Sequence, residues 1–87
     1  MYSALMLRNQ DFPVDKIYVP AAKRKTFDPA KVRAIAEDWL ANGQKTPIQV
    51  REDGDRFVLV EGLHRLEAAK ELGEKTIMGL LVQARRH

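Results

Sequence analysis

The residues best equipped for chemistry in this chain are Gly62-Leu63-His64-Arg65, with Glu61 just before them. The surrounding stretch, LVEGLHRLEAAKELG over 59–73, reads as a strand that stops at glycine and passes straight into a helix with His64 and Arg65 in its first turn. The opening N–H groups of a helix have no partner within it, and the helix dipole is positive at that end. Two basic side chains added there call for something negative, and phosphate is the simplest candidate. Arg65 can clamp a phosphate through two parallel hydrogen bonds, and His64 can donate another from a protonated ring nitrogen. Gly62 either lets a ligand approach the backbone or simply turns the chain from strand to helix. The plainer alternatives are a salt bridge from Arg65 to Glu61 or Asp38, and a partly buried cap or surface position for His64. Glu61 stands open as a counter-charge for Arg65, a general base or a metal ligand.

Other chemistries lack their residues. The turn is not a GxxxxGK[ST] phosphate loop and has no dinucleotide glycine pattern. There is no HxH, no HExxH and no cysteine set, so no zinc site is expected. Asp53 and Asp55 could suggest a carboxylate site, but they flank Gly54 in what reads as a tight hairpin turn. Without paired carboxylates at a convincing spacing, a nuclease is not favoured.

The formal charge of +3, from 15 Lys+Arg against 12 Asp+Glu, is too mild to define a nucleic-acid binder. Its distribution says more. Lys23-Arg24-Lys25 form a basic knot, Arg85-Arg86-His87 a basic tail, and His64-Arg65 a third positive spot. Such patches attract nucleic acid or nucleotide phosphates, or are simply solvated surface. Eighty-seven residues allow one domain with one modest core. The apolar runs ALML and IMGLLV are too short to span a membrane, and the N-terminus lacks a signal-peptide pattern. A cytoplasmic setting is the expectation.

The elements that must position the turn are readable in outline. A short first strand is expected over 4–8, a turn from Asn9 to Pro13, a strand over 14–19 and a loop from Pro20 to Thr26 holding the basic knot. Asp28 is a good N-cap and Pro29 suits the first helical position. Val32, Ile35, Ala36, Trp39 and Leu40 then recur at helical spacing up to Asn42-Gly43. Trp39 reads as core rather than as a base-stacking platform. Residues 47–51 and 56–60 form a hairpin around 52–55. A second helix over about 63–72 buries Leu63, Leu66, Ala69 and Leu72, and Thr76 to Val82 make a last strand. Two strands joined by a helix suggest a right-handed crossover. The whole is an α+β domain with a small mixed sheet and two or more helices, its core running from about 14 to 82.

Three stretches in order, FDPAKVRAIAEDWLANG, TPIQVRED and VLVEGLHRLEAAKELG, resemble the N-terminal domain of ParB/Spo0J partition proteins and the wider ParB–sulfiredoxin superfamily. In ParB proteins the third stretch usually reads Gly-Glu-Arg-Arg and helps hold the phosphates of CTP. The glycine falls on Gly62 and the final arginine on Arg65, while Leu63 and His64 depart from the middle pair. In sulfiredoxins the same turn reads Gly-Cys-His-Arg. Leu63 replaces the catalytic cysteine, so that reduction chemistry has no nucleophile. Family members with Gly-x-His-Arg include free serine kinases, which bind a nucleotide on this turn. The resemblance also implies an arginine from the basic loop, with Arg24 the counterpart and Lys23 and Lys25 its neighbours. Thr46 stands where ParB often has a glutamine before Pro-Ile, and Gln44 lies two residues early.

The leading expectation is a ParB-like, nucleic-acid-associated domain concerned with DNA partition or plasmid and chromosome maintenance. Gly62, Leu63, His64 and Arg65 would hold phosphate, and Lys23, Arg24 and Lys25 would extend the surface toward a DNA backbone. The runner-up is a switch or enzyme binding CTP or ATP with Mg²⁺, in which Arg24 joins the phosphate site and Glu61 is the one nominee for a catalytic base. A protein-interaction domain with a degenerate site is the third reading. The chain is either a fragment of a longer protein or a stand-alone member, and a homodimer is open.

Overall fold

The computed structural model describes residues 8–82. The chain runs β1 (Asn9–Pro13), a 3₁₀ turn (Val14–Lys16), β2 (Ile17–Tyr18), α1 (Ala21–Arg24), α2 (Pro29–Asn42), β3 (Ile48–Asp53), β4 (Arg56–Glu61), α3 (Leu63–Glu71) and β5 (Thr76–Leu81). The strands form one mixed sheet in the order β1-β5-β3-β4-β2. β1 and β3 flank β5, antiparallel and parallel to it respectively, while β4 runs antiparallel to β3 and parallel to β2. Phe12, Ile17, Ile48, Val50, Leu59, Leu63, Leu66 and Ile77 share the main core. Val32, Ala36 and Ala68 form a second cluster where α2 meets α3, and Trp39 packs against both. The α+β class and the mixed sheet expected from the sequence are what the fold contains.

Local signals decide the best-read elements. Asp28 caps α2, its carboxylate accepting from Ala30 N–H at 3.0 Å, and Gly43 closes the helix by donating to Trp39 O at 2.7 Å. The hairpin turn narrows from four residues to Gly54-Asp55, because Glu52 and Asp53 continue β3 and pair with Phe57 and Arg56.

Several expectations are corrected. The strand placed over 4–8 falls almost wholly outside the described residues, and Arg8 belongs to no strand. The turn expected from Asn9 to Pro13 is instead β1, held by β5 from the far end of the chain. Of the strand expected over 14–19 only Ile17–Tyr18 pairs, since Val14–Lys16 close into a 3₁₀ turn. The expected loop holding the basic knot contains the one-turn helix α1. Leu40 is 76% exposed, because the buried stripe of α2 runs through Val32 and Ala36. The parallel-crossover argument does not apply to α3: it joins β4 to β5, which run oppositely on either side of β3.

Gln44 has a role that its position in a loop does not suggest. Its side-chain amide donates to Met78 O at 2.8 Å and accepts from Met78 N–H at 2.8 Å. Met78 lies one residue before Gly79, the partner of Ile48, the first residue of β3. Pro47 has no N–H to extend that ladder. The glutamine amide stands in for the missing strand backbone and pins the 43–47 loop to the sheet.

Candidate phosphate-binding site

The strand-to-helix turn is built around Gly62, the residue before α3. Its φ of 109° lies in the left-handed region that a side chain disfavours. A Cβ there would stand 2.6 Å from Ile48 Cγ2. Both the turn and close packing on β3 therefore require glycine. The first intrahelical bond runs from Leu66 N–H to Gly62 O at 3.0 Å, which leaves the N–H groups of Leu63, His64 and Arg65 as the unpaired opening of the helix.

That opening lines a cleft of about 700 Å³, whose walls are Ala22, Lys23 and Thr26 from α1 and its exit, Lys31, Ala34 and Ile35 from α2, and Glu61 to Arg65. Beyond Arg65, Ala34 and Ile35 lies a smaller hollow of about 220 Å³, which they share with the cleft. Trp39 lies at its apolar side, and Asp38, Gln44, Lys45 and Thr46 supply its polar groups. Arg65 thus stands between two adjoining spaces.

Gly62, Leu63, His64 and Arg65 come together as the sequence reading has them. Of the basic knot only Lys23 reaches the cleft; Arg24 and Lys25 are exposed and do not line it. Lys31, which sequence reasoning missed, does. It shares a helical stripe with Ala34 and Ile35 beside the buried Val32 and Ala36, and that i, i+3, i+4 spacing was the available signal. Leu63 lines the cleft but is only 8% exposed and belongs to the core. Arg65 takes neither Glu61 nor Asp38 as a partner: Glu61 lies 3.7 Å from Lys23 Nζ, and Asp38 pairs with Lys45 at 3.1 Å. Among the described residues no salt bridge engages Arg65.

His64 is tied down. Its Nε2 accepts the main-chain N–H of Asp28 at 3.0 Å, and its ring stacks on Phe27 with centroids 6.1 Å apart at 13°. An Nε2 that accepts must carry no proton, so the neutral ring holds its proton on Nδ1 and has that one N–H to give. No cluster of three His, Cys, Asp or Glu residues able to hold a metal occurs among the described residues. Nor does any described helix have the length and apolarity to cross a membrane.

Comparison with known proteins gives this geometry a family. The family model of the ParB N-terminal domain matches residues 5–87, and the chain belongs to that family. It is 30% identical over 70 residues to a chromosome-partitioning protein ParB of Myxococcus xanthus, a match covering 79% of this chain and 24% of that protein. The chain thus spans about a quarter of the length of that curated relative. Among solved structures, sulfiredoxin from Arabidopsis thaliana superposes with a TM-score of 0.78 at 27% identity, covering 88% of this chain and 86% of that one. C-terminally truncated ParB from Caulobacter crescentus, complexed with CTP-gamma-S, gives 0.77 at 23% identity, covering 90% of this chain and 46% of that one, a likeness of fold.

Proposed function

We propose that this ParB-family domain binds a nucleoside triphosphate, with its phosphates in the larger cleft and its sugar or base in the hollow beyond Arg65. One observation carries the reading: Lys23, Lys31, His64 and Arg65 converge on the start of α3 in a concave space that continues past Arg65 toward Trp39. A flat phosphate backbone needs no such hollow, whereas a nucleotide does. Arg65 would clamp a phosphate with its fork, Lys23 and Lys31 would neutralise charge, and His64 would donate from Nδ1. CTP is the first nucleotide to test, because the Caulobacter crescentus relative is complexed with CTP-gamma-S. Among the described residues Glu61 is the only carboxylate lining the cleft, and it is paired with Lys23, so these residues do not build a protein-held Mg²⁺ site. They support binding and no phosphoryl transfer. A role in DNA partition would follow from the longer relatives.

A second reading has its own observation. Arg24 and Lys25 are exposed outside the cleft, where they are free to meet a DNA backbone without specifying sequence. An NMR titration of the isotope-labelled chain separates the two. Saturable shifts over 62–65 and at Lys31 with one nucleotide, lost in Arg65→Ala, support the first reading. Shifts with duplex DNA alone, centred on Arg24 and Lys25 and falling steeply with salt, replace it with the second. No shift with any ligand refutes both and favours an interaction domain.

A further inference from the structure

The bond between His64 Nε2 and the Asp28 N–H joins two parts of the cleft that the chain order keeps 36 residues apart. On one side is the phosphate turn at the start of α3. On the other is the start of α2, which carries Lys31 into the cleft. We propose that His64 is a proton-operated latch, which holds the first turn of α2, and with it Lys31, against the phosphate turn only while the imidazole is neutral.

A single ring nitrogen makes the latch. As an acceptor, Nε2 satisfies the Asp28 N–H at 3.0 Å. Once protonated, Nε2 becomes a donor facing another donor at the same distance, and the bond turns into a repulsion. Asp28 cannot compensate by simple rotation, because its carboxylate already caps α2 through Ala30 N–H at 3.0 Å. Were that carboxylate to turn to the imidazolium, the cap would be lost instead. Either response disturbs the same helical turn. Phe27, stacked on the ring and 45% exposed, has space to move with it.

The charged groups that share the cleft with the ring come from each element lining it: Lys23 from α1, Lys31 from α2, Arg65 from α3 and Glu61 at the end of β4, the last paired with Lys23. The Asp28 carboxylate is held by Ala30 N–H. Imidazoles in general change charge between about pH 5 and 8, which sets the range over which the latch is tested. Its consequence for ligands rests on the phosphate reading above and runs against simple electrostatics. A new cation should strengthen anion binding, yet here acid weakens it by releasing Lys31.

The latch can be read without any ligand. In the ¹⁵N-labelled chain, a coupling across the hydrogen bond between the Asp28 amide nitrogen and His64 Nε2 is expected at pH 8. It should vanish as the ring nitrogens report protonation, with the Asp28 and Lys31 amides shifting at the same midpoint. Asp28 and Lys31 amides that stay still while the ring titrates would overturn the proposal. His64→Gln, whose amide oxygen can accept at the Nε2 position without titrating, should keep both amides constant across the range. A variant that still shows the wild-type acid shift at Asp28 would also overturn it.

Sulfate, which keeps its charge over this range, is the anion probe. Loss of one charge-assisted contact predicts about tenfold weaker sulfate binding to the wild type at pH 5.5 than at pH 8, with no such fall in His64→Gln. Sulfate binding that strengthens in acid would refute the link to Lys31. If neither sulfate nor any nucleotide binds at any pH while the Asp28 coupling still tracks the ring, the phosphate reading fails and the latch stands.

Discussion

Gly62 and Ile48 are packed so closely that the turn leaves no space for even a methyl group: a Cβ on Gly62 would lie 2.6 Å from Ile48 Cγ2 and 3.0 Å from Ile48 Cβ. Ile48 is fully buried at the start of β3, so it cannot retreat. The glycine therefore registers α3 against the sheet and fixes where the helix opening points.

Gly62→Ala should combine a left-handed backbone penalty with overpacking, for a loss of about 2–4 kcal/mol. Gly73→Ala is the control. Gly73 has a φ of 73°, but a Cβ there would meet nothing within 4 Å, so about 1–2 kcal/mol is expected from the backbone alone. Urea denaturation of the two variants measures the difference, and equal losses would show that contact with Ile48 is unimportant.

Glu61 restrains Lys23 at the mouth of the cleft through a pair 3.7 Å long, with the glutamate side chain 70% exposed. An exposed pair of this kind contributes little to folding, so Glu61→Gln should change stability by less than about 0.5 kcal/mol. If the cleft holds a triphosphate as proposed, removing this negative charge should instead tighten its binding about threefold at low salt. Calorimetric titration at two ionic strengths checks both the gain and its loss to screening.

Gln44→Ala would strip Met78 of partners for both its N–H and its C=O. Two unmet backbone groups at a partly buried place predict a loss of about 1–3 kcal/mol. At about 4–8 °C per kcal/mol for a domain of this size, the melting temperature should fall visibly. A melting curve that overlays the wild type would mean that water replaces the amide without cost.

The Asp38 carboxyl is held below its ordinary value, first by the Asn42 side-chain hydrogen bond and then by Lys45. A depressed carboxyl stabilises the fold above its unfolded-state pKa, and that contribution is lost as pH falls through the lower folded-state value. Asp38→Asn should therefore narrow its stability difference from the wild type below about pH 4. Urea midpoints for both proteins at pH 7 and pH 3 test the sign, and a difference that widens in acid would contradict it.

How much could be read in advance follows from the distance over which each signal acts. The Asp28 cap, Pro29 and Gly43 delimit α2 within its own sequence, and Gly62-Leu63-His64-Arg65 announces a strand-to-helix turn within four residues. β1 could not be read this way, because Asn9-Gln10-Asp11 followed by Phe12-Pro13 looks like a turn until β5 supplies its partner. α1 has a single turn and no buried residue, so it leaves no apolar periodicity. In the site, Arg65 and His64 were legible as residue types. That Lys31 would join them, and that Arg24 would not, depended on how α1 and α2 pack over the turn. The hydrogen bond from Asp28 to His64 belongs to the same tertiary level and has no sequence signature.

The place of β5 in the sheet sets an order of events during synthesis. β5 lies between β1 and β3, so that Asn9 pairs with Leu80. At about 5–20 residues per second a ribosome takes on the order of several seconds to make the chain between them. Throughout that interval β1 has no neighbour, and the half of the sheet beyond β3 is missing. α2 and the hairpin can form earlier from local contacts, but the sheet closes only once β5 has been made. Such long-range closure slows folding relative to a domain built of neighbouring strands. A nascent chain arrested before residue 76 would expose the β5-facing edges of both β1 and β3, which makes that stretch of translation the one in which a chaperone has most to cover.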